Sequence, residues 1–251
     1  MDKIEEHRRK RTMEKFSYEV ESCELKDLVL RCDVLSKIQE LKNAYLDRRY
    51  LNSYGTGHNN IISINGTTGS GKTILAKAIA NELCLPIFVV RYERLIRDSL
   101  QETIKNVEDL FDSLSHKQCV LFFDDFDMCL DRNLYRYIID LANRMLRSHV
   151  FVVYAFPYSC ERLRRIRYSI EMHIEDVTSV NLNKEKVIDF YVKKYKDTFP
   201  DFKNREYVAE FLIFNSFASA NQKIRNLFIK DLISKKTEDW QKNYIVKHKE
   251  G

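Results

Sequence analysis

The sequence predicts an α/β fold: a parallel five-stranded sheet flanked by helices, followed by a small all-helical C-terminal lid. Three observations predict it. Short apolar runs rich in β-branched residues recur between residues 61 and 174, each the length of a strand buried on both faces. Between them lie stretches whose apolar residues fall three and four apart, the spacing of an amphipathic helix. From Leu182 onward the helical pattern continues and the strand pattern stops. Strands that alternate with helices build a parallel sheet with helices on both sides.

Residues 1–26 read as a charged N-terminal arm with no clear apolar face. Asp27-Leu28-Val29-Leu30 opens the compact part, and Val34, Leu35, Ile38, Leu41, Ala44 and Tyr45 mark a helix. A polar turn, Ser53 to Asn60, leads into the first strand, Ile61–Asn65. Ile74–Ala80 is helical, and Pro86 introduces a second strand, Ile87–Arg91. The stripe Ile104, Val107, Leu110, Phe111 and Leu114 places a helix over Leu100–Leu114. Cys119–Phe123 is the third strand, Asn133–Leu146 a helix, and Val150–Phe156 the fourth strand, ended by Pro157. Met172–Ile174 supplies a short fifth. Helices over Glu185–Tyr195, Arg205–Ser216 and Asn221–Ser234 complete the tail. The expected division is an arm (1–26), an α/β domain (27–177) and a small helical domain (178–251).

Composition narrows the class. The chain of 251 residues is 31% charged and 44% hydrophobic, which suits an ordinary globular protein. Its longest apolar run, Val150–Phe156, is too short to cross a bilayer, so no membrane role is expected. The first residues are charged rather than apolar, so no leader is expected. Six cysteines are scattered without a C-x-x-C pair, which argues against a metal ribbon or a disulfide framework and for a reducing cytoplasm. The net charge of +5 is modest, and its densest piece is His7-Arg8-Arg9-Lys10-Arg11. Such a run can meet nucleic-acid phosphates; with Glu5, Glu6 and Glu14 beside it, a solvated helix end is the preferred reading.

The chemistry sits in Gly66-Thr67-Thr68-Gly69-Ser70-Gly71-Lys72-Thr73, between a strand and a helix. This is the G-x-x-x-x-G-K-[ST] pattern, in which backbone N–H groups and a helix N-terminus converge on phosphate. Lys72 would reach the β- and γ-phosphates, Thr73 would place its hydroxyl on Mg²⁺, and Ile74 begins the helix that closes the nucleotide-binding set. The companion is Cys119-Val-Leu-Phe-Phe-Asp124-Asp125-Phe126-Asp127, an apolar strand ending in carboxylates. Asp124 is the metal-side candidate and Asp125 the group placed to polarise an attacking water.

These two segments, with Gln101-Glu102-Thr103-Ile104-Lys105-Asn106-Val107-Glu108-Asp109-Leu110-Phe111, resemble the signatures of the AAA+ ATPases, a P-loop NTPase family, and in particular its protein-remodelling branch. The resemblance covers roughly residues 27–234. It implies ATP with Mg²⁺, hydrolysis to ADP and phosphate, a segment near 27–30 packed on the adenine, and assembly into a homo- or hetero-oligomeric ring or spiral. It also implies an arginine given in trans to the neighbouring subunit's nucleotide. Arg167 fits that role best among Arg162, Arg164, Arg165 and Arg167, with Arg164 next. Arg225, with Lys223 as its alternative, stands where many members sense the γ-phosphate.

The departures bear on rate. The second signature usually ends in Asp-Glu, and here Asp125 is one methylene shorter. The fourth strand usually ends in a polar residue, where this chain has Phe156-Pro157 and then Tyr158-Ser159. Ser99 and Gln101 occupy places where threading members carry an aromatic residue and a glycine. The expected function is an ATPase whose cycle drives oligomer assembly and remodels a partner, with an unidentified protein as that partner. The alternative is a nucleotide-gated factor on DNA or RNA with slow or no hydrolysis. A small-molecule kinase fits the helical tail poorly.

Overall fold

The apolar runs pair as their alternation with helices demands. The computed structural model describes residues 3–47, 53, 60–126, 132–145, 150–156, 172–174, 184–198, 219–230 and 233. It divides into two units, residues 1–177 and 178–251. In the first, the elements are α1 (Lys3–Phe16), β1 (Ser17–Val20), α2 (Cys32–Leu46), β2 (Ile61–Asn65), α3 (Lys72–Glu82) and β3 (Ile87–Val90). They continue with α4 (Tyr92–Leu95), α5 (Leu100–Leu114), β4 (Cys119–Phe123), α6 (Arg132–Met145), β5 (Val150–Phe156) and β6 (Met172–Ile174).

The strands form one sheet in the order β1-β3-β4-β5-β2-β6. Its last five strands run parallel, and β1 pairs antiparallel with β3. The α/β expectation therefore stands, with a sixth strand added at one edge. β4 and β5 lie centrally, and their residues are all buried. Burying one Val, Leu or Phe side chain contributes roughly 1.5–3 kcal/mol, so these two strands anchor the domain. On one face Leu121, Phe123, Val152, Tyr154 and Phe156 pack under residues of α1, α5 and α6. On the other, Ile62, Ile64, Val120, Phe122, Phe151 and Val153 pack under α2 and α3. Cys119 behaves as a small hydrophobe here: burial pushes its thiol up to about 12.

The N-terminal arm needs correcting. Residues 3–16 form α1, and residues 17–20 extend the sheet. Only Met13 and Phe16 of α1 are buried, three residues apart, so the anchoring stripe is too narrow to stand out among the charges. Arg91 N–H donates to the Phe16 carbonyl at 2.7 Å, and the Ser17 hydroxyl to the Met13 carbonyl at 2.9 Å. These bonds lock the helix-to-strand junction onto the end of β3. The basic run is thus part of a docked helix, where Glu5 pairs with both Arg8 and Arg9.

In the second unit, α7 (Lys184–Thr198) and a helix over residues 219–230 bury Val187, Ile188, Val192, Ala220, Ile224 and Phe228. The Tyr195 and Phe228 rings lie 5.1 Å apart, and the Tyr195 hydroxyl donates to Asn221 Oδ1. The expected helix over Arg205–Ser216 lies outside the described residues.

Candidate nucleotide-binding site

The loop between β2 and α3 closes on itself in a way its glycines permit. Gly69 has φ 78° and Gly71 φ 96°, both left-handed, where a Cβ would be strained. Gly71 directly precedes α3, and its carbonyl accepts the Leu75 N–H at 2.8 Å. The N–H groups of Lys72, Thr73 and Ile74 thus fall in the first turn, where a helix has no internal acceptor for its donors. Gly66 N–H donates to the Phe156 carbonyl at 3.2 Å, which pins the start of the loop to β5. The result is a nest of backbone donors at a helix N-terminus, an arrangement that attracts anions.

Lys72 is buried, at 6% exposure, and its Nζ donates to the carbonyls of Gly66 at 2.9 Å and Thr67 at 3.2 Å. The same ammonium lies 3.9 Å from Asp125 Oδ1. Thr73 Oγ1 donates to Asp124 Oδ2 at 2.8 Å, joining residues 51 positions apart. Burial raises the Asp124 carboxyl above its ordinary value, and the neighbouring Asp125 charge adds to this. The Thr73 hydrogen bond and the Lys72 charge pull in the opposite direction. A cation at Asp124 would stabilise the ionised form.

Asp125 stands at φ 45°, one of two described non-glycine residues in the left-handed region. The cause lies one residue on. Phe126 is fully buried, with its ring centroid 4.4 Å from Tyr154, 5.3 Å from Phe123 and 5.7 Å from Phe156. Its N–H donates to the Ala155 carbonyl at 2.9 Å. The chain must turn sharply to put Phe126 into that cluster, and Asp125 takes the turn with its own side chain exposed.

The residues present fit a nucleoside triphosphate with Mg²⁺. Positive-φ glycines leave room for the close approach of phosphate. Ser70 Oγ is buried in the loop without a hydrogen-bond partner among the described residues. A hydroxyl and a carboxylate in contact are the donor set by which Mg²⁺ is held beside phosphates. Ile74 is 45% exposed, and its carbonyl accepts the Cys23 thiol at 3.2 Å. Leu28 and Leu30, in or beside the expected adenine segment, pack on the core cluster that contains Leu75 and Ile79.

The structure therefore gathers Gly66, Thr67, Thr68, Gly69, Ser70, Gly71, Lys72, Thr73, Ile74, Asp124 and Asp125 at one end of the sheet. Arg225 belongs to the second unit, exposed on the helix over residues 219–230. Arg164 and Arg167 lie outside the described residues. Two contributions had no sequence signal: the Phe156 and Ala155 carbonyls, which tie the loop and the acidic turn to the same strand end.

Comparison with known proteins agrees with this geometry. Residues 62–153 match the model of the ATPase family associated with various cellular activities. Residues 62–153 thus resemble an AAA-family domain. An AAA family ATPase of Sinorhizobium fredii is 47% identical over 62 residues, which cover 25% of this chain and 19% of the relative. The peroxisomal ATPase PEX6 of Dictyostelium discoideum is 31% identical over 135 residues, 48% of this chain and 11% of the relative. A putative 26S proteasome regulatory subunit homolog of Methanothermobacter thermautotrophicus is 28% identical over 108 residues, 42% of this chain and 27% of the relative. The matched residues thus span about a quarter or less of each relative's length. No described helix is long and apolar enough to cross a membrane.

Proposed function

We propose that this chain is an ATPase that binds ATP with Mg²⁺, hydrolyses it slowly, and uses the cycle to assemble with other subunits and remodel a partner macromolecule. The observation that carries the reading is the junction of Thr73 with Asp124 at 2.8 Å, beside an ammonium shared by Gly66, Thr67 and Asp125. The loop N–H groups and Lys72 bind and orient the phosphates. Thr73 and Asp124 would hold Mg²⁺, which when bound would neutralise charge on the phosphates. Asp125 holds the attacking water and accepts its proton.

Two features favour slow turnover. Asp125 has a short side chain on a strained backbone, and Phe156, at the end of β5, has no side-chain donor with which to orient water. An arginine from a neighbouring subunit, Arg167 or Arg164, would raise the rate by about 10³–10⁵. Arg225 would report on the γ-phosphate. Relatives named as peroxisomal ATPases and as a proteasome regulatory subunit homolog support a protein as the remodelled partner.

The test is ATP turnover across a range of protein concentrations, with Lys72→Ala as the blank. Turnover per chain that climbs with concentration and vanishes in the blank is the expected result. Tight ATP binding with turnover no better than the blank would replace hydrolysis with a nucleotide-locked assembly, directing attention to DNA or RNA.

A further inference from the structure

At the carboxyl end of the sheet, Asn65 Oδ1, Ser70 Oγ and Tyr154 Oη are buried without a hydrogen-bond partner among the described residues, and the Asn65 amide is the one that ends a strand. Asn65, the last residue of β2, is 8% exposed, and its Oδ1 is buried without a hydrogen bond among the described residues. Leaving such an atom unpaired costs about 1–3 kcal/mol, a cost that an apolar residue would avoid. Nothing among the described residues explains why this strand should end in an amide.

Its place in the sheet gives the amide a use. Register sets Asn65 beside Phe156 on β5, and Phe123 of β4 beside Tyr154. Two residues further along, the chain turns at Asp125, beyond the end of β4. The Phe126-to-Ala155 hydrogen bond ties the acidic turn to β5. Two strand spacings, roughly 9–10 Å, separate β2 from β4. Lys72 bridges the interval: its Nζ meets the carbonyl of Gly66, the residue after Asn65, and approaches Asp125. Asn65 is thus adjacent in the chain to the carbonyl that receives the Lys72 ammonium, the group expected to meet the β- and γ-phosphates.

We propose that the Asn65 side-chain amide binds the terminal phosphoryl group and so distinguishes a nucleoside triphosphate from a diphosphate. The inference rests on the nucleotide-binding reading above. The amide carries two donors and one acceptor, and rotation about its last torsion brings the NH₂ to either side. Phe156, level with it on the neighbouring strand, offers no such donor. Asn65 is here a contact to substrate contributed by the strand before the loop, outside the eight-residue signature.

The test is equilibrium titration of the full chain, with Mg²⁺, by ADP and by a triphosphate whose β–γ bridge is an imide. Asn65→Ala is expected to weaken the triphosphate roughly tenfold while ADP changes by less than about twofold. Asn65→Leu, close in volume, should show the same selective loss with a melting temperature equal to or above that of the parent, which separates binding from folding. Equal weakening of both nucleotides, or none, overturns the inference. Failure of the nucleotide reading looks different: the parent chain binds neither nucleotide, or Lys72→Ala binds both as the parent does, and the Asn65 inference then falls with it.

Discussion

Cys84 and Asp125 share the same unusual backbone and put it to opposite uses. Both are non-glycine residues with positive φ, 53° and 45° respectively. Cys84 follows α3, where its N–H donates to the Asn81 carbonyl and the Leu85 N–H to the Ala80 carbonyl, both at 3.0 Å. That pair of bonds is the Schellman closure of a helix, in which the position is ordinarily glycine. The strain at Cys84 is offset locally, by backbone groups within five residues. Asp125 has no such closure. Its turn is imposed by a hydrogen bond to another strand and by the burial of Phe126, and it leaves a carboxylate 3.9 Å from Lys72. One left-handed residue ends a helix; the other holds a charged group at a site, which is where uncompensated strain concentrates.

If that contrast is right, the largest effect comes from removing what Asp125 faces. Lys72→Ala should weaken ATP binding by about 100-fold, since several charge-assisted hydrogen bonds are lost together. Titration with a fluorescent nucleotide checks it, and unchanged affinity would detach the acidic turn from any phosphate site.

Asp124→Asn should abolish Mg²⁺-dependent turnover yet raise the melting temperature of the nucleotide-free chain by a few degrees. The sign follows from the raised carboxyl. In the folded state Asp124 keeps its proton to higher pH than in the unfolded chain, so its contribution to stability is lost as pH rises through the raised value. The parent chain should therefore lose more stability than Asp124→Asn between the ordinary carboxylate pKa and the raised one. Melting curves of both chains without Mg²⁺ measure this, and parallel pH profiles would count against it.

The sharpest comparison comes from placing glycine at both turns. Asp125→Gly should gain about 0.5–1 kcal/mol of stability and lose most turnover. Cys84→Gly should gain a similar amount, about 0.5–1 kcal/mol, and leave turnover as it was. Denaturant unfolding with parallel turnover assays reads both. Stabilisation at Cys84 alone would mean that the Asp125 turn is held without strain.

Much of the site was legible because its residues are contiguous. The eight residues from Gly66 to Thr73 announce a phosphate cradle, and a carboxylate at the end of an apolar strand announces its metal partner. The parallel strands were legible for a similar reason, since each is a short apolar run. The first 20 residues were not. Two buried side chains among many charges make no periodic stripe, and the α1–β1 segment is held by backbone hydrogen bonds that no residue type betrays. Asn65 was read only as the end of a strand, because an unpaired amide becomes visible only when its neighbours are in place.

By itself the sequence determined the fold class, a loop with the phosphate-cradle pattern and the identity of the groups that meet at it. Such features depend on local pattern: strand length, helical spacing, glycines that accept a left-handed backbone. Tertiary structure alone decided that Asp125 is strained, that β1 extends the sheet, and that Asn65 stands level with Phe156 across β2 and β5. Those outcomes come from packing between segments distant in the chain. The burial of one phenylalanine sets the angle of the residue before it, and strand register sets which side chains share a height.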